Sequence, residues 1–301
     1  MARMGSDHTM KKLIINLVPT GMIPTKEMNP HLPISVQEII DDVLECAKLG
    51  VSIVHLHARE TNGIPTYKKD IYAEIIAGIR KRNPELILCV STSGRNYPDF
   101  GKRSEVLNLD GELKPDMASL TLSSLNFSQT ASVNSPDTIM NLAKMMKEKG
   151  IKPELEVFDL GMVNYAKYLI SKGLIDPPFY FNIILGNIAS AQAALLHAGL
   201  IISELPPESY VALSGIGNSQ TAMNGLGVIA ADGIRVGLED NIWYDQNRKI
   251  WATNRALVER VVLMAHLFDC SIAHPQDVRR MLQLTEMENG SGKESGESQY
   301  D

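Results

Sequence analysis

Two histidines, His55 and His57, stand two residues apart in the segment Val51–Arg59, VSIVHLHAR. The β-branched and apolar residues around them predict a buried strand. Because side chains two positions apart in a strand point to the same face, both imidazoles lie on one side of the sheet. Such a pair suits a metal ion, and it equally suits two hydrogen-bonded histidines in the core. Catalytic zinc takes three protein ligands, so the pair alone leaves both interpretations open.

The segment Gly233–Asn241, GIRVGLEDN, carries the next set of chemically active side chains. Glu239 follows a predicted strand and completes, with the two histidines, a three-ligand set that leaves a fourth metal position open. That pattern is typical of catalytic rather than structural zinc. Arg235 lies inside the strand, where a buried guanidinium needs a carboxylate partner, and Asp240 is a natural candidate. The alternative is that the two acidic residues begin a helix and interact with its dipole.

These residues belong to a regular alternation of predicted strands and helices. Eight strands over about 270 residues favour a (β/α)₈ barrel, in which active-site groups collect at the carboxyl ends of the strands. An open doubly wound sheet is the alternative, but no G-x-G-x-x-G fingerprint follows the first strand. The predicted strands are Lys12–Val18, Val51–Arg59, Leu86–Ser91, Met117–Leu120, Glu154–Phe158, Tyr180–Leu185, Tyr210–Ser214 and Gly233–Gly237.

Helices are predicted between these strands. Ser35 and Glu38 form a capping-box pattern at the start of the first helix, and Ile188–Ser203 is predicted to be a later helix. The polar residues expected near the carboxyl ends of the strands are Thr20, His55, His57, Arg59, Ser91, Ser119, Glu154, Glu156, Asn182, Ser214, Arg235, Glu239 and Asp240.

The composition is that of a globular protein, with 44% hydrophobic and 21% charged residues among 301. The net charge of −6 gives no reason to expect nucleic acid or an anionic membrane as a partner. Three widely spaced cysteines form neither a disulfide framework nor a zinc motif, which suits the cytoplasm. We expect a leader or expression remnant over residues 1–11, one catalytic domain over 12–284 and a polar, disordered tail over 285–301.

Seven motifs, in this order, resemble the β-keto acid cleavage enzyme family: PTG, HLHAR, STSGR, PDMASLTLSSLNF, PELEVFDLGMV, SGIGN and IRVGLEDNIWY. The resemblance implies a zinc-dependent (β/α)₈ barrel that forms a homo-oligomer, with a tetramer expected. It also implies an activity, in which a β-keto acid reacts with acetyl-CoA to give acetoacetate and a new acyl-CoA.

The same resemblance implies roles for the residues that match the family's motifs. Zinc would polarise the keto oxygen as a Lewis acid, and nearby hydroxyls would hold the carboxylate or the developing oxyanion. The implied residues are His55, His57 and Glu239 as metal ligands, Asp240 and Arg235 as the catalytic pair, and Ser91, Ser119 (a threonine in the family) and Glu156 as substrate contacts.

One position departs from the family member that cleaves 3-keto-5-aminohexanoate. That enzyme has a glutamate two positions past the glycine of PTG, where it reaches the substrate's ammonium, and this chain has Ile23. Because burying an unpaired ammonium is costly, we expect Ile23 to favour a substrate with an uncharged, apolar tail. We also consider Gly215–Asn218 as a neighbour of the coenzyme A phosphates, and Arg59 either as an anion-binding residue or as a brace of the barrel rim.

Two other classes of function fit the same ligands. A zinc-dependent barrel hydrolase or aldolase would use them to activate water or a carbonyl group, without acyl exchange from acetyl-CoA. A non-enzymatic metal-binding scaffold would instead present a closed site with four ligands. A nicotinamide-dependent enzyme is disfavoured because the chain lacks a dinucleotide fingerprint.

Overall fold

Eight parallel strands form the centre of the protein, which a computed structural model describes over residues 11–285. The strands close into a barrel because β1 pairs with both β2 and β8. This arrangement confirms the predicted (β/α)₈ fold. The barrel strands are β1 (Lys12–Leu17), β2 (Ile53–Leu56), β3 (Ile87–Val90), β4 (Met117–Thr121), β5 (Lys152–Val157), β6 (Phe179–Leu185), β7 (Ser209–Gly215) and β8 (Gly233–Val236). Residues 1–10 of the predicted leader and 286–301 of the predicted tail lie outside the described residues.

Helices surround the barrel, and their ends follow local sequence signals. Ser35 and Glu38 form the predicted capping box at the start of α1, and Ser135 caps α4 with Pro136 in its first turn. None of the described helices is long and apolar enough to cross a membrane. The helices are α1 (Val36–Ala47), α2 (Lys69–Arg80), α3 (Phe100–Ser104), α4 (Pro136–Lys149), α5 (Leu160–Ser171), α6 (Leu195–Ser203), α7 (Gln220–Ala230), α8 (Asn254–Leu267) and α9 (Pro275–Leu282).

The barrel interior is solid at its amino-terminal end. Apolar side chains from the strands fill it, among them Ile14, Ile53 and Tyr180, and Val278 and Leu282 of α9 pack against them from below. A separate, larger apolar cluster lies between the strands and the surrounding helices. Since strand side chains alternate between these two cores, the inward-facing positions that follow the apolar layer point toward the carboxyl-terminal mouth.

The second strand is shorter than predicted. It ends at Leu56, and Ala58–Arg59 pairs instead with Pro65–Thr66 as an antiparallel hairpin over the rim. Ala58–Arg59 is still in strand conformation and only its pairing partner changes, so the alternation of the sequence gave no sign of the break. His57 therefore lies just beyond the strand.

The helix predicted over Ile188–Ser203 begins only at Leu195. The backbone before it forms a loop, in which Ala191 donates its N–H to the carbonyl of Phe158 and accepts from Gly186. These hydrogen bonds replace the helical ones. The apolar residues of 188–194 therefore follow helical spacing, although this segment forms a loop.

Candidate active site

Polar side chains occupy the mouth of the barrel, directly above its apolar layer. Every barrel strand, or the turn that follows it, supplies at least one of them. The members are Asn16, His55, His57, Ser91, Ser119, Thr121, Glu154, Glu156, Asn182, Ser214, Arg235, Glu239 and Asp240.

The predicted metal ligands come together at this mouth. His57 Nε2 lies 3.2 Å from His55 Nε2 and 3.3 Å from Glu239 Oε2. Ligand atoms around a tetrahedral zinc ion lie about 3.4 Å from one another, so the spacing fits. Glu239 Oε2 is buried and makes no hydrogen bond to any described residue. A buried carboxylate oxygen in this state is costly, and a bound cation would satisfy it.

Glu154 fixes the orientation of His55, a role that the sequence analysis did not assign. Its Oε2 lies 2.5 Å from His55 Nδ1, while its Oε1 accepts hydrogen bonds from the side-chain amides of Asn16 (2.7 Å) and Asn182 (2.6 Å). A carboxylate on Nδ1 holds the tautomer that leaves Nε2 free for a metal ion. The signal in the sequence was the spacing of Glu154 and Glu156, which places both carboxylates inside the barrel.

Burial and charge act in opposite directions on these groups. Burial disfavours the His55 imidazolium, yet the carboxylate of Glu154 raises the pKa of His55 to about 9 in the absence of a metal ion. Burial also opposes ionisation of Glu154, but the charge of His55 holds the pKa of that carboxyl below its usual value. Since a metal ion would compete with the proton on His55, its binding depends on pH.

A second group of possible metal ligands shares His55 and adds Cys89 and Glu154. Burial raises the pKa of the Cys89 thiol well above its usual value, which disfavours the thiolate that binds metal. Glu154 already accepts hydrogen bonds from two amides and His55. The set formed by His55, His57 and Glu239 is therefore the better candidate.

Arg235 organises the carboxylates on the other side of the site. Its side chain is only 2% exposed, and its Nε donates to Asp240 Oδ2 at 2.9 Å. Its Nη2 donates to Glu239 Oε1 at 2.8 Å, and its Nη1 lies 3.4 Å from Glu156 Oε1. Burial opposes the charge on Arg235, but Asp240 and Glu239 raise the pKa of its guanidinium well above the usual value. One cation thus links the metal-ligand candidate to the predicted catalytic carboxylate.

Hydroxyl groups complete the fixation of these carboxylates. Ser214 donates to Asp240 Oδ2 at 3.0 Å, and Thr121 donates to Glu156 Oε2 at 2.6 Å. Burial raises the pKa of Glu156 despite the opposing charge of Arg235. Asp240 is therefore held in one orientation by a guanidinium and a hydroxyl.

The two predicted substrate serines occupy different positions. Ser91 lines a small cavity beside His57. Ser119 is 2% exposed, and its hydroxyl accepts a hydrogen bond from the backbone N–H of Thr92 at 3.1 Å. Ser119 therefore supports the loop that follows β3 rather than lining that cavity.

Two glycines allow Glu239 to reach the candidate metal position. Gly21 has a φ of +68°, and a Cβ there would lie 2.6 Å from Glu239 Cγ. Gly237 has a φ of +155°, and a Cβ there would lie 2.2 Å from the carbonyl oxygen of Val18. The PTG motif and the glycine of VGLED thus bring the ends of β1 and β8 close together.

Three further predictions concern the rim. Arg59 donates to the carbonyls of Gly21, Pro24 and Gly63, so it braces the rim rather than presenting its donors to a ligand.

The loop after β7 supports the site directly, because the N–H of residue 217 donates to the Asp240 carbonyl at 2.7 Å. Ile23 is 47% exposed and does not line the cavity beside His57, so its contact with a substrate stays a prediction. Its neighbour Met22 does line that cavity.

Comparisons with known proteins identify relatives over almost the whole chain. A family model described as beta-keto acid cleavage enzyme matches residues 12–284. The 3-keto-5-aminohexanoate cleavage enzyme of Fusobacterium nucleatum is 38% identical over 278 residues, which cover 91% of this chain and 99% of that protein. The 3-oxoadipate:acetyl-CoA acetyltransferase of Cupriavidus necator is 33% identical, covering 91% of this chain and 96% of that protein.

A solved structure supports the fold. The apo structure of ObcA aligns with a TM-score of 0.71 over 85% of this chain and 66% of that one, at 22% identity. The family model spans the whole barrel, and relatives above 30% identity cover nearly the full length of both chains. The chain therefore belongs to the beta-keto acid cleavage enzyme family.

Proposed function

We propose that this protein is a zinc-dependent β-keto acid cleavage enzyme that exchanges acyl groups between a β-keto acid and acetyl-CoA. The observation that carries the proposal is that the candidate metal ligands lie beside the Arg235–Asp240 pair. His55, His57 and Glu239 present a metal position with an unsatisfied carboxylate oxygen, and Arg235 holds Asp240 beside it. The names of two relatives above 30% identity, a cleavage enzyme and an acetyl-CoA acetyltransferase, support the reaction class.

Within this proposal, a bound zinc ion would supply Lewis-acid polarisation of the substrate's keto oxygen. Asp240 takes the proton from C2 of the keto acid, the carbon between the keto and carboxylate groups. Arg235 and Ser214 orient its carboxylate for this transfer. Ser91 lines the cavity beside His57 and would donate to a substrate oxygen.

The exchange then balances without a further reagent. C2 attacks the thioester carbonyl of acetyl-CoA and releases the thiolate, which attacks the 3-keto carbon. Cleavage of the original C2–C3 bond gives acetoacetate and a new acyl-CoA, and Asp240 returns its proton to C2. Since Asp240 first accepts a proton and then donates it, the reaction leaves the enzyme unchanged.

The experiment for this proposal is a screen of β-keto acids with acetyl-CoA, on protein loaded with one equivalent of zinc. We expect acetoacetate and a new acyl-CoA in equal amounts. A zinc-dependent hydrolase would instead release free acids without consuming acetyl-CoA. Consumption of a keto acid in the absence of acetyl-CoA would favour that alternative and contradict our proposal.

We also propose that the protein is a homo-oligomer. Helix α6 buries Ala198 and Ile201 but exposes Leu195 and Leu196, which are 71% and 76% accessible. Exposed leucines on one element are typical of an interface between subunits. A Leu196→Glu variant should therefore have a smaller mass by light scattering than the wild type. A monomeric wild-type protein would contradict the proposal.

Finally, we propose a cytoplasmic location. The three cysteines are free and buried, with no disulfide among them. Free thiols of this kind suit a reducing compartment. Fractionation of cells that express the full chain, with detection by antibody, tests the location, and recovery from an extracellular fraction would contradict it.

A further inference from the structure

The arginines near the mouth of the barrel differ in what they contact. Three of them direct their donors to protein acceptors. Arg235 binds carboxylates, Arg59 binds three main-chain carbonyls, and Arg103 donates to the carbonyl of Thr92 and to Asn134. In each of the three, all three guanidinium nitrogens donate to protein acceptors.

Arg95 is the exception among these arginines. It lies on the loop after β3, four residues past Ser91, and its Cζ sits 3.5 Å from the centroid of the Phe127 ring. Phe127 in turn packs edge-on against Phe158, with ring centroids 5.9 Å apart. Within residues 11–285, no carboxylate or carbonyl accepts a hydrogen bond from the Arg95 guanidinium. Stacking therefore fixes the plane of the group and leaves its donors free.

Arg95 lies at the same mouth as the reaction site, because Phe127 connects it to Phe158, two residues past Glu156 at the end of β5. It interacts electrostatically with Glu239, Glu156 and Asp240, although it pairs with none of them. Those carboxylates are already held by Arg235 and other groups. The guanidinium nitrogens make no hydrogen bond to any described residue and are not among the buried atoms that lack a partner, so they are exposed to solvent. A partly buried cation with free donors beside a reaction site is a typical anion-binding group.

We infer that Arg95 binds a second carboxylate, at the distal end of the β-keto acid, and so selects β-keto diacids. This inference rests on the proposed function and names the substrate class for the same site. The reacting end of the substrate is accounted for by the metal position and by Asp240. The free donors of Arg95 lie beyond ion-pair distance from these groups, where the tail of the substrate would extend.

A phosphate of coenzyme A is the other source of an anion at this mouth. The pantetheine arm places those phosphates much farther from the reacting thioester than the distal carbon of a short keto acid. Arg95 lies close enough to Glu239, Glu156 and Asp240 to interact with their charges. Its position therefore favours the substrate tail over the coenzyme.

The test compares 3-oxoadipate with its 6-monoamide, which has the same shape without the distal charge. We expect the wild type to prefer the diacid. Arg95→Gln should lower kcat/KM for the diacid about 10- to 100-fold, the range for loss of a hydrogen bond between charged groups. In the same variant, kcat/KM for the monoamide should change less than about threefold. Arg95→Lys should keep part of the preference for the diacid. Arg255→Gln removes the same charge from the exposed face of α8 and serves as the control.

A measurement without turnover separates this inference from the proposed function. Adipate should bind zinc-loaded wild type more tightly than hexanoate in calorimetry, and Arg95→Gln should remove the difference. Equal binding of both acids to the wild type would overturn the inference even if no keto acid reacts. A rise in KM for acetyl-CoA in Arg95→Gln, with either keto acid, would assign the residue to coenzyme A and also overturn it. Turnover of the diacid without acetyl-CoA would instead refute the proposed function alone.

Discussion

Replacing Glu154 by glutamine tests whether the contact of Glu154 with His55 prepares His55 to bind a metal ion. In the wild type, Oε1 accepts from the amides of Asn16 and Asn182, and Oε2 faces His55 Nδ1. A glutamine oxygen can replace only one side of this arrangement. If it faces the two amides, its own NH₂ points at His55 Nδ1 and favours the tautomer that carries the proton on Nε2. That proton occupies the lone pair with which His55 would bind zinc.

The expected effect of Glu154→Gln is large enough to measure. Loss of a carboxylate behind a metal-binding histidine costs about 10- to 100-fold in affinity, or about 1.4 to 2.7 kcal/mol. Competition with a fluorescent chelator measures the zinc affinity, and thermal unfolding shows whether the variant is folded. Glu156→Gln is the matched control, because Glu156 lies two residues along the same strand and contacts Thr121 and Arg235. Equal zinc affinity in Glu154→Gln and the wild type would refute the assigned tautomer.

Four further predictions concern single substitutions. Gly21→Ala should lower zinc affinity at least about tenfold, because the added Cβ would contact the Glu239 side chain and the φ of +68° disfavours alanine; unchanged affinity in the chelator assay would contradict this. Asp240→Asn should abolish acetoacetate formation while keeping zinc and fold, so turnover comparable to the wild type would exclude Asp240 as the proton acceptor. Burial raises the pKa of Asp42 to about 6 against the Asn254 hydrogen bond, so the proton on Asp42 stabilises the fold below pH 4 and that contribution is lost as the pH rises to 6. Asp42→Asn should therefore gain up to about 3 kcal/mol in unfolding free energy at pH 8 and little at pH 4, as urea titrations would show. Ile23→Glu should raise kcat/KM for 3-keto-5-aminohexanoate relative to that for 3-oxohexanoate. A wild type that already turns over 3-keto-5-aminohexanoate with the higher kcat/KM would contradict the role of Ile23.

Local patterns were sufficient to predict the fold and the candidate metal ligands. The strands are short apolar runs between turn residues, so their number and order could be inferred from the local pattern of the sequence. His55 and His57 share a face because of their spacing, and Asp240 lies near Arg235 because a tight turn separates them. These relations join residues that are close in the sequence, so a local pattern can predict them.

Relations between distant strands could not be predicted in the same way. Glu154 meets His55 across 99 positions of sequence, and this contact depends on the register of the closed barrel. The stacking of Arg95 on Phe127 similarly joins two loops whose paths no local pattern determines. The break after Leu56 was missed because Ala58–Arg59 is also extended, and only its pairing partner, Pro65–Thr66, differs.

The measurement that tests the central claim most directly follows isotope from acetyl-CoA. Zinc-loaded protein would be incubated with 3-oxohexanoate and acetyl-CoA labelled in its acetyl group, and the products resolved by mass spectrometry. Acyl exchange predicts that the label appears in C3 and C4 of acetoacetate, together with an equal amount of unlabelled butyryl-CoA. If 3-oxoadipate is the preferred acid, succinyl-CoA replaces butyryl-CoA and the labelled acetoacetate is the same. Acetoacetate without the label, or free acids with the labelled acetyl-CoA intact, would contradict the account.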